Sequence, residues 1–395
     1  MIIQRPILPK LLDELDKSYV SILIGPRQVG KSFLLRQIFE HTKNLGMNPE
    51  YYDLENPSDL NLFIGDESLL IDRLSQGGRV IFIDEFQYLK NATKIFKVLV
   101  DRPNGPKIYA SGSSSIEIHK HLKESLAGRY RISTIFPLSL SEIMQNHEYD
   151  PLDYFKYCGM PGLLNEAKAD EKMALLNNIL QTYLLKDIKA LIREENIRSF
   201  NHLLYLLAEN QGSIVSIASL AREVGLSEPS IHKHLEIMHQ TFVAFPLACF
   251  SNNLGNELKK AKKYYLYDLG LRNSLLKDFS AIGNRQDKGA ILESFVFLSL
   301  NRLLKFNMEL KFWRTRQGNE VDFVLLRDRI PVPIEVKYGQ KDASLPSGMK
   351  QFFSRYPASE SGVIVTMNYS GKLSVDGKPV HIIKWCDLES FFEKY

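Results

Sequence analysis

Over the first third of the chain, short apolar or aromatic runs alternate with stretches that repeat apolar residues every three or four positions. Val20–Ile24, Glu50–Leu54, Val80–Ile83 and Lys107–Ala110 predict buried strands, and Lys31–Thr42, Ser68–Ser75 and Asn91–Val100 predict helices between them. Strands alternating with helices build a parallel sheet wrapped in helices, so the expected class is α/β. From about residue 146 to 198 the pattern is helical throughout. Beyond it come three short helices, Phe200–Asn210, Ser216–Val224 and Glu228–Met238, and then a hairpin from Thr241–Phe250 and Tyr264–Tyr267. The last stretch is again mixed: a helix Ala290–Leu304, a strand around Phe312 and Trp313, strands within Gly318–Leu325 and Pro333–Lys337, a helix Ser347–Tyr356 and a strand Gly362–Thr366. The expected domains are therefore 1–145, 146–198, 199–280 and 281–395, with Gly283–Asp287 as the last linker.

Composition narrows the picture. Of 395 residues, 44% are hydrophobic and 24% charged, which suits globular domains with real cores. The net charge of +4 is only mildly basic, so any nucleic-acid contact must rest on local patches. Cys158, Cys249 and Cys386 are far apart and odd in number, which gives no disulfide framework and no zinc knuckle; buried free thiols in a reducing cytosol are expected. No apolar run reaches the ~18–20 residues of a membrane span. Met1–Lys10 contains prolines and no signal-peptide core, so a cytoplasmic protein is expected.

The first candidate chemistry is Gly25-Pro26-Arg27-Gln28-Val29-Gly30-Lys31-Ser32, which fits GxxxxGK[ST] and is followed by Phe33 at the start of a helix. Glycines allow the backbone to turn its N–H groups inward, and the helix adds its positive end, so the stretch Gly25–Phe33 can cradle phosphates. Lys31 can reach the β- and γ-phosphates, and Ser32 can ligate Mg²⁺. The apolar strand Val80–Ile83 ends in Asp84 and Glu85. Asp84 is suited to hold Mg²⁺ through its water shell, and Glu85 to orient and deprotonate an attacking water. Ser113, in the run Ser111-Gly112-Ser113-Ser114, is placed to be a polar probe at the γ-phosphate, or else a helix cap. Arg129, after Gly128, is suited to stabilise a transferring phosphoryl group, within the chain or across the subunit boundary of a homo-oligomer; otherwise it makes a surface ion pair.

Taken in order, GPRQVGKS, VIFIDEFQYL, the serine-rich strand end, SLAGRY and FPLSLSE resemble the prokaryotic AAA-type ATPases that carry a C-terminal domain of unknown function. The resemblance spans nearly the whole chain. It implies a P-loop ATP-binding core with a helical lid, then a winged helix and a restriction-endonuclease-like module, with ATP and Mg²⁺ as cofactors.

The C-terminal half carries two further patterns. The helices Ser216–Val224 and Glu228–Met238 around Gly225-Leu226-Ser227 follow the helix-turn-helix plan. Ser230, His232, Lys233 and His234 are expected on or near its outward face, and Lys259, Lys260, Lys262 and Lys263 in the wing suit phosphate contact with DNA. A docking module or spacer is the other reading of this part. Further on, helix-borne Glu293, strand-borne Asp322 and then Glu335-x-Lys337 resemble the PD-(D/E)xK nuclease pattern, with Val321 in place of the proline. Residues two apart on a strand share a face, so Glu335 and Lys337 point together. With Glu293 and Asp322 they are expected to form an oxygen-rich site for Mg²⁺ or, if catalytically silent, a salt-bridge cluster.

The function expected is Mg²⁺-dependent ATP hydrolysis coupled to binding, cleavage or remodelling of DNA. The alternative is an ATP-dependent signalling or scaffolding switch whose nuclease-like domain is inactive and binds a protein.

Overall fold

The computed structural model describes residues 3–76, 80–113, 126–183, 192, 197–251 and 262–394. It divides into two compact units. The first comprises Met1–Leu138, Met160–Gly162 and Gln240–Phe242, and the second comprises Ser139–Gly159, Leu163–His239 and Val243–Tyr395.

The first unit is built on a five-stranded parallel sheet. Its strands are β1 (Val20–Gly25), β2 (Pro49–Asp53), β3 (Val80–Asp84), β4 (Lys107–Ser113) and β5 (Tyr130–Thr134), in the spatial order β2-β3-β4-β1-β5. The sequences VSILIG and VIFID have almost no polar position because both faces of β1 and β3 are covered, and every residue in them is buried. The helix Lys31–Asn44 lays Leu34, Leu35 and Ile38 on the sheet, and the helix Ala92–Asp101 lays down Ile95, Phe96 and Leu99. Each such fully buried side chain contributes about 1.5–3 kcal/mol. The Phe82 ring stacks on Tyr109 at 5.3 Å and meets Phe39 edge-on at 5.7 Å. β5 was not expected from the pattern: Tyr-Arg-Ile-Ser-Thr mixes polar and apolar positions because it is an edge strand, mostly half-buried.

Because β4 lies between β1 and β3, the segments that follow β1 and β3 flank its C-terminal end. With strands about 4.8 Å apart, the two are separated by roughly 10 Å. That gap is the most important consequence of the strand order.

The second unit opens at Ser139, within the FPLSLSE stretch, where Ser139 and Glu142 form a reciprocal cap on the helix Leu140–Ile143. The helical stretch continues with Tyr154–Tyr157 and Ala169–Tyr183. The Asn273 side chain donates to the carbonyls of Phe155 and Lys156, at 2.9 Å each. The helices Ile197–Glu209, Ile217–Val224 and Glu228–Gln240 follow, then the antiparallel pair β6 (Ala244–Leu247) and β7 (Lys263–Leu266). Ser216 caps the middle helix, and Gly225 closes it at φ +74°.

Within Gly283–Asp287, expected as a linker, Gly283, Asn284 and Gln286 are exposed, but Arg285 and Asp287 are tied into the fold. Arg285 is 5% exposed and holds both carboxylate oxygens of Asp287 at 2.8 Å. Arg272, 1% exposed, also grips Asp287 at 2.8 Å.

The helix Lys288–Leu303 then packs beside a six-stranded sheet in the order β12-β13-β11-β10-β9-β8. These strands are β8 (Met308–Arg314), β9 (Glu320–Arg327), β10 (Ile330–Lys337), β11 (Gly362–Thr366), β12 (Gly371–Val375) and β13 (Lys378–Lys384). β8, β9 and β10 are antiparallel neighbours, whereas β10, β11 and β13 run parallel. Gly348 lets the helix Ser347–Arg355 lie directly on the start of β9, since a Cβ there would fall 1.9 Å from the Glu320 carbonyl oxygen.

Candidate functional site

The stretch after β1 has the backbone that a phosphate cradle needs. Gly25 has φ +153°, and a Cβ on it would fall 2.1 Å from the Ile135 carbonyl oxygen, so a side chain is excluded on two grounds. Gln28 at φ +62° and Gly30 at φ +93° add left-handed turns, the geometry that gathers successive N–H groups into a concave nest. The helix Lys31–Asn44 begins immediately afterwards, with Gly30 as an N-cap that offers no side chain. Lys31 is buried, and its Nζ donates to the carbonyls of Gly25 at 3.0 Å and Pro26 at 2.8 Å. Ser32 is half-buried at the second helical position, whereas Gln28 and Phe33 are exposed. Arg27 pairs with Glu55 at 3.3 Å.

One supporting residue was missed. Arg5 is 8% exposed and donates to the Val29 carbonyl at 2.8 Å and the Phe136 carbonyl at 2.9 Å. It therefore ties the loop to the segment after β5. A lone arginine among apolar residues near the N-terminus was the only signal, and sequence gives no hint of what it reaches.

Across β4, Asp84 is 2% exposed and both of its carboxylate oxygens are held. Tyr51 donates its hydroxyl to Oδ2 at 2.8 Å, and Ser111 donates to Oδ1. Burial, and then the Asp84 charge, push the Tyr51 phenol well above its usual range, so it remains a donor. Its ring stacks on Phe82 and lies 5.4 Å from the Arg36 guanidinium. Glu85 has φ +54°, so the chain leaves the strand direction at this residue. Its carboxylate accepts from the Gln87 side chain, and its N–H donates to Ser111 Oγ at 3.4 Å. Ser111 thus touches both acidic residues. Ser113 closes β4 in register with Gly25.

Arg129 is a correction. Its carbonyl accepts from Val20 N–H at 2.8 Å, at the point where β1 and β5 begin. The cradle follows the other end of β1, about 17 Å away at the strand rise. Its guanidinium pairs with Asp101 at 2.5 Å. Strand polarity thus sets it apart from the cradle of its own chain, and the surface ion pair, the other reading of the sequence, is what is observed.

In the second unit, the predicted acidic residues do gather on one side of the sheet. Asp322 on β9 accepts from the Val336 N–H of β10 at 2.8 Å, and Lys337 pairs with Glu335 at 2.7 Å. Burial, and then the charge of Asp322, raise the carboxyls of both Glu293 and Glu335 to about 7. Three members were not foreseen. Lys263, 2% exposed, reaches Glu293 at 3.2 Å and Glu320 at 2.7 Å, and Tyr265 donates to Glu293 at 2.6 Å. Burial lowers the Lys263 ammonium, but the charges of Glu293, Asp322 and Glu320 outweigh it and raise the group overall. Among the described residues, no group of three or more His, Cys, Asp or Glu side chains is placed to hold a metal ion. As they stand, these residues do not fit the Mg²⁺ that the nuclease pattern implies.

Lys263 is thus a second correction: it faces carboxylates in the interior and is not a contact for DNA. His234 is a third. It is 4% exposed and packs edge-on against Phe200 at 5.6 Å, because its position on the helix faces the core. His232, Lys233 and Lys262 are exposed, as a contact surface requires, while Lys259 and Lys260 lie outside the described residues.

Residues 17–144 match the family model of the AAA domain, and residues 150–298 and 288–383 match two domains of unknown function, DUF8612 and DUF4143. An uncharacterized protein of Mycobacterium tuberculosis is 28% identical over 341 residues, covering 85% of this chain and 74% of that one. One from Methanocaldococcus jannaschii is 27% identical, covering 92% and 86%, and one from Haemophilus influenzae is 24% identical, covering 98% of each. The AAA-domain match takes in the cradle, the carboxylates that end β3 and the whole parallel sheet.

Proposed function

We propose that the chain hydrolyses ATP with Mg²⁺ and couples turnover to binding and remodelling of DNA. The observation that carries the ATPase part is the placement of the Lys31 loop and the Asp84–Glu85 pair on either side of β4, at the same end of the sheet. In this reading Gly25–Phe33 wrap the triphosphate, and Lys31 leaves the loop carbonyls for the β- and γ-phosphates. Ser32 and Asp84 hold Mg²⁺, which neutralises charge on the phosphates. The donor set fits, since Asp84 is a buried carboxylate oriented by two hydroxyls. Glu85 takes the proton of the attacking water, and Ser113 is the polar probe for the γ-phosphate. Arg129 is left for action across a subunit boundary.

Tyr51→Phe tests the metal arrangement. Loss of one supporting hydroxyl is expected to raise the Mg²⁺ concentration for half-maximal turnover by about 10-fold, with ATP affinity in the absence of metal unchanged. An unchanged Mg²⁺ requirement would remove Tyr51 from the site.

The DNA part rests on the helix Glu228–Gln240, with His232 and Lys233 exposed, followed by the β6–β7 pair and exposed Lys262. This is a winged helix in our reading, and it offers phosphate contacts rather than base readout. Turnover measured with single-stranded, double-stranded and branched DNA, and with RNA, is expected to rise with at least one of them at low salt. Indifference to all would leave an ATPase without a nucleic-acid role. One observation favours the second reading, a scaffolding switch with a silent nuclease-like module: Lys263 sits among the acidic residues where a metal would be needed.

A further inference from the structure

We propose that Lys263 is the resident cation of the acidic cluster on the six-stranded sheet, and that the site excludes divalent metal for as long as β7 keeps its place. The proposal depends on the cluster alone, so it survives or fails separately from the ATPase reading. Lys263 Nζ bridges a carboxylate on the helix Lys288–Leu303, Glu293 at 3.2 Å, and one on β9, Glu320 at 2.7 Å. A divalent ion in a nuclease-like site would join the same two elements, but with oxygens at about 2.0–2.1 Å for Mg²⁺ and with no room for a second positive charge. Glu320 and Asp322 are two apart on β9 and share a face, so both carboxylates belong to the surroundings of the ammonium.

Lys263 did not arrive there as a loose surface chain. It begins β7, pairs with Leu247 of β6, and also bridges Ile214. Its ammonium lies 5.3 Å from the centre of the Phe312 ring. Tyr265, two residues on and on the same face of β7, donates to Glu293 at 2.6 Å, and its ring stacks on Phe297 at 4.2 Å. One strand therefore delivers both an ammonium and a phenol to the same carboxylate.

The remaining charges in the cluster are Asp322, the Glu335–Lys337 pair and Arg314, which meets Glu320 at 3.3 Å. Glu335 Oε2 is buried and accepts no hydrogen bond among the described residues, and Glu335 is only 5% exposed. A buried oxygen without a donor is capacity for a cation that the lysines do not use. Withdrawal of Lys263 would leave Glu293, Glu320 and Asp322 with only Arg314 and Lys337 to offset their charge, and free to close on a smaller, doubly charged ion.

A merely structural lysine and a resident cation give opposite results when the charge is removed. The test is Mn²⁺ uptake by the full chain without nucleotide, read from the loss of the free-ion magnetic resonance signal. Lys263→Met keeps the stem and drops the charge. It is expected to take up about one Mn²⁺ more than wild type, at least roughly 10-fold more tightly, and to lose it again when Glu293→Gln is added. Mn²⁺ should also raise the melting temperature of Lys263→Met and not that of wild type. A folded Lys263→Met chain with no extra uptake overturns the proposal. The wild-type chain provides a second arm that needs no lysine variant. Its Mn²⁺ uptake should be unchanged by Glu293→Gln, and a fall on that substitution would mean that metal enters beside Lys263, which also overturns it.

Discussion

Glu85→Gln is expected to lower ATP turnover by about 10²–10⁴-fold, the usual contribution of a general base, while ATP remains bound. The substitution changes charge and basicity with almost no change in size. Gln87 donates to the Glu85 carboxylate, and a glutamine oxygen can accept the same bond. The turn at φ +54° is set by the backbone and by Ser111, which holds the Glu85 N–H, so the variant should fold like the parent. Left-handed backbone at a residue other than glycine or asparagine costs about 1–2 kcal/mol. That cost is tolerated where the turn aims a side chain that is needed, which is the reason to expect function here rather than a simple strand end. Asp84 and Lys31 are untouched, so nucleotide binding should persist. Phosphate release under multiple turnover and retention of labelled ATP on the isolated protein read the two halves of the expectation. Turnover equal to that of the parent would show that another group activates water.

The sequence reveals those features whose cause is local. VSILIG and VIFID are almost wholly apolar because they are covered on both faces, and Gly25 ends β1 because the Ile135 carbonyl leaves no room for a side chain. Other features depend on partners that no local pattern shows. Arg5, Tyr51 and Ser111 act on the cradle and on Asp84 from segments far away in the chain. Lys263 closes a run of basic residues, and a basic run in a hairpin reads as a solvated surface. Its strand position puts it on the same face as Tyr265, but that face is identified as acidic only by Glu293 and Glu320, 30 and 57 positions away.

For Arg129 the sequence leaves three readings open, and strand polarity speaks against only one of them, action within the chain. A residue just before a parallel strand lies at the opposite end of the sheet from residues just after one. That rule was available, but β5 was not recognised as a strand because its polar positions hid it. In the second unit the expected order of helix and strands from Glu293 to Thr366 is present with bounds shifted by a few residues, β12 and β13 were not expected, and the acidic residues converge. What the pattern did not contain was the cation already among them.

Lys31→Ala is expected to weaken ATP binding by about 10–100-fold and to bring turnover to background. The loss corresponds to one or more charge-assisted bonds to phosphate, each about 1.5–3 kcal/mol. In this structure the ammonium donates to the Gly25 and Pro26 carbonyls, so it stands inside the loop that must receive phosphate. Those bonds are also what the variant gives up in the nucleotide-free chain. Their carbonyls are left to other partners, at a cost near 1 kcal/mol, a small part of a domain's stability. The effect on affinity should therefore greatly exceed the effect on melting. Lys31→Arg offers a sharper comparison: it keeps the charge, but a planar fork cannot enter a buried loop shaped for a compact ammonium, so it should bind poorly as well. Titration with a fluorescent ATP analogue, alongside a thermal melt of each variant, separates the two effects. Affinity within about 3-fold of the parent in a folded Lys31→Ala chain, a difference under 1 kcal/mol, would mean that the loop after β1 does not hold the triphosphate.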